Sequence, residues 1–410
     1  MRVLIPVTFL PYPPSTGARI RTWELARRLA AHHEVTFALH LRSPADRLIV
    51  QKIRHSGFKV LCGPVNTGLR AAAHLFQEIA HGGFPVSGLR RSQPLEAQLA
   101  EIQASHPFDV IQVEHADMAR YPFLLPSRSE TICSIMLHDM LSESYKRIAR
   151  IETGIFSRAW RRFNAARLPH FERSILPRYD LCFTVSERDR RTLETFVPAE
   201  RIAVLPNSID PVTNSLLPEP NNAAPIFLLV GYMLYPPNAD AARWFLRDIF
   251  PRIQNVYPAA RLFLVGGDPP RDLIALARRA GPQVVLTGNV PDLAPYYRKA
   301  DVAFAPLRAG GGTRLKILEA MARGRPVVST TLGAEGLDVR HGEHLLIADT
   351  PQEIADAGIA LFSQHALREE IRRNARALVE SKYSWDACAD RQLMAYEDLA
   401  QRKARARQVR

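Results

Sequence analysis

The chain has 410 residues, above the size at which a single hydrophobic core stops growing, so we expect two domains. Its hydrophobic content of 47% is normal for a globular protein, and no apolar run approaches the roughly 18 residues of a membrane span. The net charge of +13 favours anionic partners, but neither zinc-finger spacing nor a long arginine-rich tail is present, so nucleic acid is not expected among them.

The first half of the chain alternates predicted strands and helices. The opening RVLIPVTF is interpreted as a strand rather than a signal peptide, since Pro6 interrupts it, and we expect a cytoplasmic protein. A helix over GARIRTWELARRLAAH follows, and the later strands are EVTFALHL, FKVLC, DVIQVE, TICSIML, DLCFTV and IAVLP. Short Val/Ile/Leu-rich strands between helices predict βαβ units in a parallel sheet.

Residues 209–225 interrupt this alternation with prolines and asparagines, which predicts a linker. The alternation resumes with the strands IFLLVG, RLFLVGG, QVVLTG, DVAFAP, PVVST and HLLIA. We therefore predict an α/β protein with two doubly wound, Rossmann-like parallel-sheet domains, 1–208 and 226–384, that face a cleft. A C-terminal helix over 385–401 is expected to pack back on the first domain.

The stretch APLRAGGGTRLKILEAMARG, residues 305–324, places glycines before a helix, directly after a predicted strand. Gly311 and Gly312 let the backbone approach a ligand, and Thr313 is the expected N-cap. A phosphate suits the positive end of a helix, and Arg314 and Lys316 add full charges.

Glu319 lies three residues after Lys316 on the same predicted helix face. A carboxylate at this distance from a phosphate site can accept hydrogen bonds from a ribose diol, so a nucleoside diphosphate fits the motif. The alternative is a glycine-rich turn before an ordinary helix that carries a surface Lys–Glu pair.

The surrounding segments resemble a known family. They are GYMLYPPNADAARWF, VGGDPP, TGNVPDLAPYYRKADVAFAPL and RGRPVVSTTLGAEGL. In this order they resemble the nucleotide-sugar domain of GT-B glycosyltransferases, specifically the large retaining family 4. In the first half, the HD at 138–139, VSERDRRTL and PNSID are similar to family landmarks.

The resemblance implies a role for each matching residue of the second half. Glu319 would bind the donor ribose. The backbone from Gly311 to Leu315, which includes Thr313, would hold the diphosphate. Gly231 would line the same site from another strand. Gly288 and Val290 would lie by the base.

In the first half, the resemblance implies that His138 contacts the transferred sugar, with Asp139 beside it, and that Gly17 lies in a loop facing donor and acceptor. Arg19 follows on the next helix and marks an anion or acceptor site there. The alternatives are a strand-end turn at 138–139 and a proline-rich loop followed by a solvated basic helix.

Two departures from the family pattern concern charge. The family often carries glutamates in an E-x7-E pattern, but Gly311 stands at the first position and Glu319 at the second. It also often has an arginine and a lysine after the first strand of this domain, where this sequence has none before Arg243. We hypothesise that Arg314 or Lys316 supplies the missing charge.

Residues 144–178 are rich in arginine with interleaved isoleucine and aromatic residues. This composition favours an amphipathic basic helix that contacts an anionic membrane, which would suit a lipid-linked acceptor at the inner face of the cell membrane. The alternative is a helix that buries its apolar side on the first domain.

We thus expect a glycosyltransferase that moves a sugar from a nucleotide-sugar donor to a glycan or lipid-linked acceptor with retained anomeric configuration. A non-catalytic nucleotide-sugar or polyanion-binding module and a sugar-nucleotide epimerase remain alternatives. No cofactor is expected, and the resemblance implies no obligatory metal. The four cysteines form no C-x-x-C pair, which also argues against metal or redox chemistry.

Overall fold

A computed structural model describes residues 1–80, 84, 91–126 and 130–408. The chain divides into two compact units. The first comprises Met1–Tyr145, Trp160–Pro206 and Trp385–Arg410, and the second comprises Lys146–Ala159 and Asn207–Ser384.

The first unit contains a seven-stranded sheet in the order β3-β2-β1-β4-β5-β6-β7, with every neighbouring pair parallel. Its strands are β1 (Arg2–Val7), β2 (Glu34–Leu41), β3 (Lys59–Pro64), β4 (Val110–Glu114), β5 (Ile132–Met136), β6 (Leu181–Thr184) and β7 (Ile202–Val204). The successive residues Val3, Leu4 and Ile5 of β1 are fully buried, as expected for a strand covered on both faces.

Helices connect these parallel strands, because a parallel pair needs a crossover connection. They are α1 (Gly17–Ala30), α2 (Asp46–His55), α3 (Gly68–Ala80), α4 (Gln93–Ser105), α5 (Leu141–Ile151), α6 (Ile155–Ile175) and α7 (Glu187–Leu193). Helix α5 contributes residues to both units.

The second unit contains a six-stranded parallel sheet in the order β10-β9-β8-β11-β12-β13. Its strands are β8 (Ile226–Val230), β9 (Arg261–Val265), β10 (Val284–Leu286), β11 (Val302–Ala305), β12 (Val327–Ser329) and β13 (Leu346–Ile347). The core of this unit packs Phe227, Phe245 and Phe304 edge to face, with ring centroids 4.7 and 5.4 Å from Phe304.

The helices of the second unit surround this sheet. They are α8 (Pro236–Trp244), a π-helical turn (Phe245–Ile249), α9 (Phe250–Val256), α10 (Arg271–Arg279), α11 (Ala294–Lys299), α12 (Leu315–Ala322), α13 (Thr331–Ala334), α14 (Pro351–Ser363) and α15 (His365–Lys382). Helix α14 has a full capping box, since Thr350 accepts from the Glu353 amide while the Glu353 carboxylate accepts from the Thr350 amide.

The arginine-rich segment differs from the expected single helix. Two helices, α5 and α6, flank a break at Glu152–Gly154, and α6 continues through Pro169. The C-terminal helix α16 (Trp385–Gln408) belongs to the first unit. Among the described residues, no helix combines the length and apolar character that crossing a membrane requires.

Candidate functional site

Each sheet has a point where the strand order reverses. It lies between β1 and β4 in the first unit and between β8 and β11 in the second. Ligands of doubly wound sheets bind beyond the carboxyl ends of the strands at such points. In the second unit, Gly231 follows β8, and the glycine-rich loop follows β11. These two predicted segments therefore flank the reversal point.

Gly231 lies where a side chain would displace the side chains of Asn238 and Lys316. A Cβ atom there would lie 2.8 Å from the Asn238 Cγ atom and 2.9 Å from the Lys316 Nζ atom. The Lys316 ammonium donates to the Asn238 Oδ1 atom at 2.8 Å. Lys316 of α12 thus lies at the end of β8, where the resemblance leads us to expect a cation from the segment after that strand.

The loops after β9 and β10 meet beside this point. Gly266 and Gly288 form an antiparallel bridge, and a Cβ on Gly266 would collide with the Gly231 carbonyl. Gly288 has φ +71°, and no atom lies within 4 Å of where its Cβ would be. Val290 is half-buried against the core. The predicted base-side residues therefore share an edge with Gly231.

The glycine-rich loop includes two residues in the left-handed region, Gly310 at φ +103° and Gly312 at φ +67°. Its conformation is fixed by Arg314, whose guanidinium donates to the Gly311 carbonyl and, at 2.9 Å, to the Gly312 carbonyl. Arg314 is buried, with 9% of its surface exposed. The Arg314 guanidinium therefore stabilises the loop by donating to its carbonyls.

The prediction that Thr313 caps the helix is wrong. Helix α12 begins at Leu315, and its N-cap is Arg314 with extended dihedral angles of −101° and 97°. Because Arg314 turns back to the loop, the helix starts one residue later than predicted. The Thr313 carbonyl instead accepts from the Asn207 Nδ2 atom at 3.1 Å.

Burial, with Arg314 adding a smaller repulsion, lowers the pKa of Lys316 from 10.5 to about 7. An incoming anion would stabilise the ammonium of this half-buried lysine, which would raise its pKa again. The position of Lys316 is therefore electrostatically suited to a phosphate.

Glu319 projects from the next turn of α12 toward different partners from those of Lys316. Its Oε1 atom lies 3.3 Å from the Arg323 guanidinium, and Tyr297 donates its hydroxyl to Oε2 at 3.5 Å. Burial raises the pKa of the Glu319 carboxyl, although Arg323 and Tyr297 oppose that effect. Lys316 and Glu319 therefore do not form the surface ion pair of the alternative interpretation.

Arg147 of α5 also contacts the glycine-rich loop. Its guanidinium donates to the Gly310 carbonyl at 3.2 Å and to both carboxylate oxygens of Glu335 at 2.5 and 3.1 Å. A bidentate ion pair of this kind fixes geometry as well as charge. Sequence reasoning missed this contact, since Arg147 is one of many arginines between 144 and 178.

In the first unit, His138 follows β5, and its Nε2 atom lies 2.9 Å from the Glu114 Oε2 atom at the end of β4. Glu114 is fully buried. It also accepts from the Thr22 hydroxyl at 2.9 Å and from the Gln112 amide at 2.7 Å. Burial alone would raise the pKa of Glu114, but the hydrogen bond and charge of His138, together with Gln112 and Arg21, hold it below its usual range.

The other predicted residues of this unit, Asp139, Gly17 and Arg19, have different surroundings from those of His138. Asp139 is half-buried, and its charge adds to the effect of burial in raising the pKa of Glu172 to about 7. Gly17 is exposed as the first residue of α1, and Arg19 is half-buried in the first turn of that helix. Nothing in these contacts assigns them a chemical role.

Two sequence families together match most of the chain. One, described as Glycosyltransferase Family 4, matches residues 15–212, and the other, Glycosyl transferases group 1, matches residues 224–364. The chain belongs to the group 1 / family 4 glycosyltransferases. The resemblance seen in the sequence is confirmed.

Among curated relatives of this glycosyltransferase family member, the phosphatidyl-myo-inositol mannosyltransferase of Mycobacterium tuberculosis is 32% identical over 163 residues. This match covers 38% of the chain and 43% of the mannosyltransferase, so the chain matches less than half the length of that relative.

Two solved structures extend the comparison to the fold. Sucrose-phosphate synthase from Thermosynechococcus elongatus superposes with a TM-score of 0.74 at 18% identity, covering 97% of this chain and 99% of that one. HepE from Anabaena, in complex with UDP and glucose, has a TM-score of 0.68 at 14% identity, with 97% and 99% covered. The fold is thus a two-domain, Rossmann-like GT-B fold, as predicted.

The described side chains offer little for metal ligation. Within the described parts of the chain, no group of three or more His, Cys, Asp or Glu side chains is arranged to hold a metal ion. The four cysteines are free thiols, and burial raises the pKa of Cys133 to about 11 and that of Cys182 to about 12. Metal independence stays a prediction.

Proposed function

We propose that this protein is a glycosyltransferase that uses a nucleotide-sugar donor. The observation that carries the proposal is the arrangement at the reversal point of the second sheet. There, Gly231, the ammonium of the half-buried Lys316 and the glycine-rich loop converge beyond the strand ends. Family membership and the UDP named in the HepE complex support the same donor class.

In this proposal the donor diphosphate lies between Gly231 and the glycine-rich loop. Lys316 is the cation placed to meet it, because its Nζ atom lies beside Gly231, whereas the Arg314 Nη1 atom donates to the carbonyls of Gly311 and Gly312. As the bond from the anomeric carbon to the phosphate breaks, charge grows on the leaving diphosphate. Preorganised donors at that charge typically contribute about 10²–10³ in rate each.

Glu319 would accept from the ribose hydroxyls, held in place by Arg323 and Tyr297. Gly288 and Val290 would contact the base. His138 of the first unit would contact the transferred sugar, with retention of the anomeric configuration and no obligatory metal. The expected transition state has oxocarbenium character, as in glycosidases.

We further propose a glycan or lipid-linked acceptor reached at the inner face of the cell membrane. The curated mannosyltransferase relative is named for a phosphatidylinositol acceptor, which supports this class. On α6, Phe156, Trp160 and Phe163 recur at spacings of four and three and are 91%, 41% and 42% exposed. Exposed aromatic residues among arginines favour an anionic lipid surface.

The membrane contact is tested by sedimentation with vesicles of phosphatidylcholine alone and with added phosphatidylglycerol. We expect binding only to the anionic vesicles, reduced by salt and by Phe156→Ser with Trp160→Ser. Val212→Ser is the matched control, because Val212 is 84% exposed but lies outside α6. Equal binding by the control and the double variant, or no binding at all, contradicts the proposal.

The enzymatic proposal is tested with Glu319→Ala. In Glu319→Ala, sugar transfer or donor hydrolysis should be lost. In the unmodified protein, the activity should persist in EDTA. The activity should also be retained in the control Glu370→Ala, which removes an exposed glutamate of the same unit. Nucleotide binding without any turnover by the unmodified protein would instead favour the non-catalytic binding module, an alternative kept open by Gly311 at the first position of the E-x7-E pattern.

A further inference from the structure

His115 extends the Glu114–His138 pair of the first unit, and the sequence pattern did not select it. His115 directly follows Glu114, and its ring stacks on that of His138 with centroids 4.0 Å apart and planes 14° apart. The Phe9 ring packs edge to face against the His115 ring, with centroids 5.9 Å apart. The His138 ring is thus held by a hydrogen bond at its edge and by a stacked ring on its face.

The backbone at His115 supports a specific role for this stack. Its φ of 75° and ψ of 144° are rare for a residue with a side chain, and conformations of this kind cluster at functional sites. The amide of His115 donates to the Met136 carbonyl of the neighbouring strand at 3.1 Å. The unusual dihedral angles therefore orient the ring of His115 across the end of the sheet.

Glu114 is fixed more firmly than a surface carboxylate. Both of its oxygens accept hydrogen bonds, and Gln112, which donates to one of them, accepts in turn from two residues of α16. These are Gln392 at 2.6 Å and Tyr396 at 2.9 Å. The C-terminal helix thus braces the carboxylate through a buried chain of side chains.

The ionisation of Glu114 decides which nitrogen of His138 carries a proton. An ionised carboxylate only accepts hydrogen bonds, so the Nε2 atom at 2.9 Å must be the donor. In the neutral ring, Nδ1 is then the acceptor. A hydroxyl group of a sugar is a suitable donor to this nitrogen.

We propose that Glu114 and His115 are positioning residues for His138, which fix its ring plane and its tautomer so that Nδ1 accepts from a hydroxyl of the transferred sugar. This inference rests on the proposed glycosyltransferase function. It adds two residues that neither the sequence pattern nor the family resemblance selected. Glu114 acts by hydrogen bonding and His115 by stacking.

The first test needs no substrate. In ¹⁵N-histidine spectra of the full chain, His138→Gln identifies the His138 ring signals by their disappearance. We expect a protonated Nε2 in the unmodified protein and a larger Nδ1-protonated fraction in Glu114→Gln, whose neutral amide can also donate. A tautomer on Nδ1 in the unmodified protein, or the same distribution in both proteins, overturns the proposal.

The second test separates the sugar from the nucleotide. We expect Glu114→Gln and His115→Ala to lower kcat/KM for the donor by about ten- to a hundredfold, while the dissociation constants of UDP and GDP change by less than about twofold. His115→Phe, which keeps a stacking ring, should recover most of the loss. Asp180→Asn is the control, because Asp180 accepts from the Cys133 amide at the other end of the sheet.

The outcomes distinguish the inference from the function on which it rests. Equal losses of donor turnover and nucleotide affinity would indicate a general structural role and overturn the inference. No recovery in His115→Phe would overturn the stacking part. If no donor is turned over by the unmodified protein, the proposed function fails, and the spectra still decide whether Glu114 sets the tautomer of His138.

Discussion

Replacing Lys316 by methionine should stabilise the fold and weaken nucleotide binding at the same time. Burial lowers the pKa of Lys316 from 10.5 to about 7. One pKa unit corresponds to about 1.4 kcal/mol, so this fall means that keeping Lys316 charged costs the folded protein at most about 5 kcal/mol. Methionine has a similar length and needs no hydration. Loss of the hydrogen bond to Asn238 offsets about 1–3 kcal/mol of the gain.

The net expectation for Lys316→Met is a stabilisation of about 2 kcal/mol at pH 7, measured by urea unfolding. Its pH dependence follows from the sign of the shift. Because the folded pKa lies below the unfolded one, the unfolded chain binds more protons between pH 7 and 10.5, and the stability of the unmodified protein rises with pH in that window. The advantage of Lys316→Met should therefore shrink as the pH rises toward 10.

Nucleotide affinity should change in the opposite direction. A charge-assisted contact to phosphate contributes about 1.5–3 kcal/mol, so calorimetric titration with UDP and GDP should show affinity falling about ten- to a hundredfold. Lys299→Met is the control, since Lys299 is an exposed lysine of the same unit. A destabilised Lys316→Met at every pH, or unchanged affinity for both nucleotides, would refute the reasoning.

Three further predictions concern other parts of the chain. Gly231→Ala should weaken nucleotide binding measured by calorimetry, because its Cβ would lie 2.9 Å from the Lys316 ammonium and displace it. Burial raises the pKa of Glu172 to about 7, so the unmodified protein loses stability as the pH rises from about 4.5 to 7. Glu172→Gln, which can still accept from the Ser142 amide, should therefore be more stable in urea at pH 8 and equal at pH 4. Tyr396→Phe should lower the free energy of unfolding by about 1–2 kcal/mol, since the Tyr396 hydroxyl hydrogen-bonds to Gln112 and Ser134 inside the first unit. Normal nucleotide binding by Gly231→Ala, unchanged stability of Glu172→Gln at pH 8, or unchanged stability of Tyr396→Phe would contradict the corresponding prediction.

Local sequence was sufficient for the strands and for the fold class. Each of the 13 strands in the described part of the chain lies within or overlaps a short apolar run of the sequence, because a strand buried on both faces must be apolar throughout. The helix boundaries were less accurate. Helix α12 starts at Leu315, one residue later than predicted, since Arg314 donates to the Gly312 carbonyl. The basic segment forms two helices with a break at Gly154, where one helix was predicted.

The sequence by itself determined that two doubly wound sheets form and that a glycine-rich loop with a lysine and a glutamate follows β11, because apolar periodicity and glycine placement are local properties. Only the tertiary structure decided that Lys316 meets Gly231 and Asn238, that Arg147 contacts Gly310, and that Glu114 holds His138. These pairs join residues far apart in the chain, and parallel-sheet topology brings them together by aligning the carboxyl ends of strands whose order in space differs from their order in sequence.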